Sequence, residues 1–142
     1  MSTRVIGPMF HGTAFSSADG ILHEGERMGV GVLGRGFYTS RLEPLASRYA
    51  ESTMDGAVLK GEVHSENPKT FQDINEYNKY VAEHHLTHYA RFQGDPQKSR
   101  QHFLNQGHDY VQVDHVGMAL RDGVFQPTHV KAPRDRDWTD LR

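Results

Sequence analysis

Three short segments of the sequence place an imidazole and two phenol rings close to glycines. His11-Gly12-Thr13 follows an apolar run, Gly34-Arg35-Gly36-Phe37-Tyr38 ends a glycine-rich stretch, and Tyr49 comes eleven residues after Tyr38. Glycine allows a ligand to approach the backbone closely, and a flat heterocycle can stack between two aromatic rings. The segments therefore predict a pocket for an aromatic ring, provided that a helix carrying Tyr49 folds back on the strand of Tyr38. A turn histidine and two core tyrosines are the alternative.

A second group of residues has the spacing of metal ligands. The chain contains 10 histidines among 142 residues, and His84, His85 and His88 form a His-His-x-x-His run. On a helix, His84 and His88 would share one face and could chelate a metal. A zinc peptidase needs a glutamate where His85 stands, and the chain has no cysteine to complete the set. We therefore predict a polar helix face and no metal.

Composition limits the classes of function. The 16 Lys+Arg and 18 Asp+Glu give no overall basic field that would attract nucleic acid or an acidic membrane, and the group of Arg91, Lys98 and Arg100 is expected to be solvated surface. The absence of cysteine excludes a disulfide framework and a cysteine nucleophile. No segment approaches the ~20 apolar residues of a membrane-spanning helix. We expect a soluble protein with no membrane partner, cytoplasmic or exported without a cleaved signal peptide, because residues 1–20 hold no long apolar run.

Hydrophobic patterning predicts the strands that position the candidate pocket. An apolar run over 5–10, broken by Gly7-Pro8, predicts a first strand that delivers His11 at its end. A short strand over 37–39 follows the glycine-rich stretch and carries Tyr38.

The rest of the chain is predicted to form one domain. Apolar residues at helical spacing predict a helix over 42–52, and the glycines of 16–36 predict a loop before it. At 142 residues the chain suits a single domain, 1–142, with the charged tail 133–142 loosely held. The other predicted elements are a turn at 21–24, a strand over 57–63 ended by Asn67-Pro68, one or two helices over 74–92, a helix over 97–106, and strands over 109–114, 117–120 and 123–125, the last preceded by a turn or bulge.

The three segments together resemble the nicotinamide pocket of the ADP-ribosyltransferases, particularly the branch with the poly-ADP-ribose polymerases and many bacterial toxins. That family has a His-Gly-Ser/Thr motif on its first strand, then a Gly-x-Gly-aromatic-Tyr strand, then a helix with a second tyrosine. Here the motifs correspond to 10–13, 34–40 and 46–50. The resemblance is strong over 9–50 and weaker over 57–63 and 107–131.

The resemblance implies an α+β fold in which split antiparallel β-sheets form an NAD cleft flanked by helices. It implies that His11 hydrogen-bonds the nicotinamide ribose, that Gly12 holds the carboxamide through its backbone, and that Thr13 supports this turn. Tyr38 would stack on the nicotinamide ring and Tyr49 on its other face. Such a pocket acts by positioning and electrostatics while the ribose becomes an oxocarbenium-like cation.

The resemblance also extends the NAD-binding set to the second segment. The glycine-rich stretch would be a mobile loop over the dinucleotide, and Arg35 would lie near its phosphates. Gly36 and Phe37 complete the set on the same strand. NAD would be the substrate, with no metal required.

The family's last motif, a strand with a glutamate that orients the acceptor, departs from the family pattern in this chain. The corresponding position is Arg121, a cation, with Asp122 beside it. A bulge at 122–123 could turn Asp122 inward. Alternatively, Gln126 or Gln112 could supply a neutral acceptor, or the third group could be missing. A further departure is Ala46, where the polymerase branch has a serine.

These features predict a mono-ADP-ribosyltransferase that cleaves the nicotinamide-ribose bond and transfers ADP-ribose to a macromolecular acceptor, either protein or nucleic acid. A toxin or effector role fits the small size, and an inhibitory partner protein would accompany such a role. Two alternatives are an NAD glycohydrolase on the same fold and a non-catalytic module that binds NAD, ADP-ribose or a protein. Release of free nicotinamide without labelled macromolecule would indicate the first alternative, and NAD binding without turnover the second.

Overall fold

The computed structural model describes residues 3–14, 29–31, 33–52, 54–86 and 96–141. Within these ranges there are nine strands and three helices, which confirms the predicted α+β class. The strands are β1 (Arg4–Ala14), β2 (Gly29–Gly31), β3 (Gly34–Ser40), β4 (Gly56–Ser65), β5 (Pro68–Phe71), β6 (Tyr110–Val113), β7 (Val116–Ala119), β8 (Phe125–Lys131) and β9 (Thr139–Asp140). The helices are α1 (Glu43–Glu51), α2 (Ile74–Glu83) and α3 (Pro96–Asn105). Most of the predicted glycine-rich loop, its turn at 21–24, His88 and Arg91 lie outside the described residues.

The strands form one open, mostly antiparallel sheet with the order β5-β6-β7-β3-β1-β4-β8-β9, and β2 pairs with β3. Only one residue pair, Phe10 with Ser40, joins β1 to β3 at the middle of the sheet. In contrast, β1 pairs with β4 along its whole length. The sheet therefore has two halves that meet along a seam, which we define as the line between residues 10–14 of β1 and 36–40 of β3.

Side chains from both halves of the sheet share one core, and helices cover the other face. The shared core is formed by Met9, Phe37, Ala57, Leu59, Val63, Tyr110, Ala119, Val124 and Phe125. A second cluster lies where α2 and α3 pack on the β3 half, and it is built around Phe71, Tyr77, Phe103 and Met118. A third, smaller cluster of Phe10, Ala46, Ala50 and Val58 fixes α1 on the β1 half.

Helix α1 lies unusually close to the sheet because small residues face each other. Ala46 and Ala50 form its buried side. A Cβ atom added to Gly12 of β1 would overlap the carbonyl oxygen of Ala46, and one added to Gly56 of β4 would overlap that of Ala50. The helix predicted over 42–52 is thereby held directly on the residue that follows His11.

Two prolines bear on the predicted strand pattern. As predicted, the strand ends before Asn67-Pro68, at Ser65, and Pro68 then begins β5, an edge strand, where a first-position proline breaks no ladder hydrogen bond. Gly7-Pro8 interrupts the apolar run of the predicted first strand, which was expected to deliver His11 at its end. Instead β1 accommodates it by a register shift between Ile6 and Met9, so His11 lies inside the strand and not at its end.

The structure also corrects the expectation of a loosely held tail at 133–142. β9 pairs with β8, and the Trp138 ring packs on that of Phe10 with centroids 5.9 Å apart. The Nζ atoms of Lys60 and Lys131 lie 5.5 and 5.2 Å from the Trp138 ring centroid. These contacts of the Trp138 ring hold the tail against the domain, although the four charged residues before it suggested a solvated segment. Among the described residues, no helix combines the length and the apolar character needed to cross a membrane.

Candidate functional site

The seam is bridged by a side chain where a strand ladder would be expected to continue. If the pairing of Phe10 with Ser40 were extended, Gly12 would stand opposite Tyr38. Instead the Nδ1 atom of His11 lies 2.5 Å from the carbonyl oxygen of Tyr38. Since a carbonyl can only accept, Nδ1 carries the proton and donates it. The imidazole thus takes the place of a backbone partner at the point where the strands diverge.

The surroundings of His11 favour the neutral form of its imidazole. Its ring stacks on Phe37 with centroids 4.2 Å apart, and Phe37 stacks in turn on Phe125 at 5.5 Å. Burial lowers the pKa of His11, an effect only partly offset by the hydrogen bond to the Tyr38 carbonyl. With Nδ1–H committed to that carbonyl, Nε2 carries a lone pair and is an acceptor for a ligand hydroxyl.

Tyr38 is half-buried and fixes the start of its own strand. Its hydroxyl donates to the carbonyl oxygen of Gly34 at 2.6 Å and accepts the N–H of Leu33 at 3.0 Å. The ring packs against the α2–α3 side of the sheet, opposite Met118 of β7. The hydroxyl of Tyr38 therefore has a structural role, and any contact of this side chain with a ligand would be made by its ring.

The three side chains that were predicted to surround one ring, those of His11, Tyr38 and Tyr49, point in different directions. His11 faces the shared core with Phe37, whereas Tyr38 packs in the cluster on the opposite face. Tyr49 lies on α1 between the two alanines that contact the sheet, and 66% of its surface is exposed. The structure thus joins His11 to the backbone of Tyr38, and it leaves the Tyr49 ring free of the core.

The other members of the predicted NAD-binding set differ in how accessible they are. Gly12 and Thr13 are buried, and the space beside Gly12 is filled by α1. Phe37 is buried in the shared core, and a Cβ at Gly36 would overlap Met118. Arg35 is exposed on β3. Helix and strand packing therefore account for both glycines.

The candidates for the third group lie in three different settings. Asp122 is exposed on the turn between β7 and β8, outside the strand ladders, so the inward bulge considered for 122–123 is not formed. Gln126 is exposed, and its Nε2 donates to the carbonyl oxygen of Gly123 at 3.3 Å. Gln112 is buried, where it accepts from the Tyr110 hydroxyl and donates to the carbonyl oxygen of Asp114 at 2.6 Å. Of the three, Gln112 is committed to the core.

The predicted histidine face on α2 is replaced by a contact between two helices. α2 ends at Glu83, so His84 stands at its C-cap, and its ring stacks on Tyr80 at 4.0 Å. The Tyr80 hydroxyl lies 2.7 Å from Nε2 of His102 on α3. Burial, followed by the charges of neighbouring histidines and Lys69, lowers the pKa of His102. Within the described ranges, no group of three or more His, Asp or Glu side chains could hold a metal ion.

One side chain near the site was assigned by the sequence to solvated surface. Arg100 of α3 is half-buried, and the charges of Arg121 and Arg35 both act on it. The sequence does not indicate this burial because it depends on a tertiary contact. α3 packs on the start of β3, and no spacing in the sequence predicts that packing.

Comparison of the chain with protein-family models, with curated proteins and with solved structures finds no match.

Proposed function

We propose that the protein binds NAD at the seam, cleaves the nicotinamide-ribose bond and transfers ADP-ribose to an acceptor. The observation that carries the proposal is the divergence of β1 from β3 beside His11, at the position where Gly12 would otherwise pair with Tyr38. The hydrogen bond from His11 to the Tyr38 carbonyl at this point joins two of the three motifs that resemble the ADP-ribosyltransferases. The split sheet that the resemblance implies is supported by the single residue pair that joins the two halves of this sheet.

The hydrogen-bonding groups of these residues suit a nicotinamide riboside. A neutral His11 presents Nε2 as acceptor to a ribose hydroxyl. The edge of β1 that faces away from β4 has no strand partner after Phe10 among the described strands. Backbone N–H and C=O groups on such an edge can pair with a carboxamide, as they would with another strand. The Tyr49 ring, exposed on α1, is available to stack on a flat ligand.

A second candidate is a binding module that holds NAD or ADP-ribose without turnover. It is favoured by Arg121 at the position that corresponds to the family's glutamate, and by the exposed placement of Asp122. A cation near the ribose would oppose the developing positive charge unless an anion accompanies the acceptor.

The two candidates separate in one experiment with NAD labelled on the adenine or the nicotinamide side. The pure protein is incubated with each form and a cell lysate, and both released nicotinamide and macromolecule-bound label are counted. We expect nicotinamide release together with bound label, and loss of both with His11→Ala. His85→Asn is the matched control, because His85 is exposed and has a positive φ that asparagine tolerates. Saturable NAD binding without release would select the binding module.

A further inference from the structure

Four side chains meet around the Tyr80 ring, where α2, α3 and β5 contact one another outside the candidate site. The Tyr80 ring stacks on His84 at 4.0 Å and meets the His102 ring edge-on at 5.6 Å. The centroids of the two imidazoles are 5.1 Å apart, and the Nζ atom of Lys69 lies 5.2 Å from the Tyr80 ring centroid. We define Tyr80, His84, His102 and Lys69 as the Tyr80 cluster.

The hydrogen bonds of the cluster suit neutral imidazoles. Burial raises the pKa of Tyr80, so its hydroxyl keeps its proton at neutral pH and can donate it to Nε2 of His102, 2.7 Å away. Protonation of His102 reverses this bond, because Nε2–H then donates to the phenol oxygen. The hydroxyl proton is left with Oε1 of Gln106, at the longer distance of 3.5 Å. A charged His102 therefore replaces a short hydrogen bond between α2 and α3 by one that competes with a cation for the same oxygen.

The elements packed around His102 offer cations and no compensating carboxylate. The ionisable groups that face it are Tyr80 and His84 of α2, Lys69 of β5, and His108 after the end of α3, which lies on the same Phe103 ring as His102. Among the described residues, no ion pair joins a member of the Tyr80 cluster to an acidic side chain. Burial lowers the pKa of His102, and His84, His108 and Lys69 lower it further. Each proton that an imidazole gains here therefore adds repulsion between α2, α3 and β5.

Both helices of this contact also hold the start of β3. From α2, the Tyr77 hydroxyl donates to the carbonyl oxygen of Leu33 at 2.5 Å, and α3 packs on β3. The Leu33 N–H donates to the hydroxyl of Tyr38, whose backbone carbonyl accepts from His11. A chain of hydrogen bonds thus runs from α2 to the seam.

We propose that the Tyr80 cluster is a pH switch. At neutral pH it holds α2 against α3, and at acid pH its protonated imidazoles repel each other and Lys69, so that the two helices separate and release the start of β3. Histidine is the side chain whose charge ordinarily changes between about pH 5 and 8. The opening needs no ligand and is independent of the proposed function, whereas its effect on NAD at the seam rests on that function.

Opening is measured without NAD by amide hydrogen exchange of the full chain at about pH 7 and about pH 5, with rates corrected for the intrinsic effect of pH. Protection in β4, at the centre of the β1 half, reports the stability of the whole domain. We expect protection in α2, α3 and the start of β3 to fall about fivefold or more beyond any fall in β4. An equal fall in all of these elements, or no fall in the helices, would overturn the proposal.

Two variants test whether the cluster causes the response. His102→Gln keeps an acceptor for the Tyr80 hydroxyl but does not titrate, so it should remove most of the additional fall. Lys69→Gln, on the edge strand β5, should reduce it by removing the permanent charge. His85→Asn is the control and should respond as wild type, because His85 is exposed and has a positive φ that asparagine tolerates. Thermal melting at neutral pH checks that each variant is folded. A response that is unchanged in both cluster variants would contradict the switch.

The effect on the seam is tested by titrating the protein with NAD at both pH values. His11 titrates in every variant that retains it, so some affinity is lost at acid pH in any case. We expect this loss to be smaller in His102→Gln than in wild type. Equal losses would show that opening of the helices does not act on the seam. If exchange responds as expected but NAD binds at neither pH, the proposed function fails while the pH switch stands.

Discussion

The carbonyl oxygen of Ala46 occupies the place where a side chain at residue 12 would begin. Helix α1 and strand β1 therefore touch backbone to backbone at Gly12. This contact sets the position of α1, and with it that of Tyr49, relative to His11.

Gly12→Ala is expected to destabilise the protein, because the new methyl group can be accommodated only if α1 moves away from β1. We expect a loss of about 1–3 kcal/mol in the free energy of unfolding, typical of overpacking. Urea denaturation followed by circular dichroism measures it. Gly123→Asn is the comparison, since a Cβ there meets no atom within 4 Å and asparagine tolerates its positive φ. Equal stability of Gly12→Ala and wild type would contradict the close packing.

Tyr38→Phe separates the two roles of the tyrosine. The substitution leaves the buried Leu33 N–H and Gly34 carbonyl without their phenol partner, which should cost about 1–3 kcal/mol. NAD affinity should change little, because the hydroxyl is bonded to Leu33 and Gly34 and the ring is retained. Tyr38→Ala should reduce both stability and affinity. A large loss of NAD affinity in the phenylalanine variant would show that the hydroxyl contacts the ligand directly.

Stability should depend on pH through His11 and His102. Both have pKa values lowered in the folded protein, so the unfolded chain binds more protons as the pH falls below the ordinary histidine pKa of 6.5. Their contribution is complete above pH 6.5 and is lost progressively below it. Urea midpoints at pH 7.5 and 5.5 should differ in this direction. His11→Gln should reduce the difference, and a pH dependence of opposite sign would contradict the burial of these imidazoles.

Trp138 gives a direct test of how the tail is held. It is the sole tryptophan of the chain, so its fluorescence reports on the tail alone, and we expect its emission to shift in step with the far-ultraviolet unfolding transition. Trp138→Ala should lose about 1–3 kcal/mol, less than a fully buried tryptophan because the ring is half-buried. Val5→Ala, at an apolar side chain that is 56% exposed, serves as control. A separate, earlier transition of the tryptophan signal would mean that the tail detaches before the domain unfolds.

The elements that the sequence predicts well are those in which a local pattern coincides with burial. The helices predicted over 42–52 and 97–106 agree with α1 and α3 to within one residue at each end. Their apolar or small residues recur on one face, and that face is the one that packs on the sheet.

What the sequence does not predict depends on contacts between distant residues. The two prolines are tolerated because one lies on an edge strand and the other at a register shift, and neither condition is visible locally. The pairing of His11 with the Tyr38 carbonyl spans 27 positions. The packing of α3 on β3 is likewise a contact between distant residues. The motifs of the candidate site can therefore be identified in the sequence. The hydrogen bonds and packing contacts that position them join distant residues and cannot.

At the seam, the hydrogen bonds between β1 and β3 come down to one residue pair and one imidazole. Elsewhere in a sheet, a change of width would require a change of register along a whole ladder. Here a substitution at position 11 changes one of the links between β1 and β3 while every other strand keeps its partner. The registers of the other strand ladders therefore do not depend on the side chain at position 11.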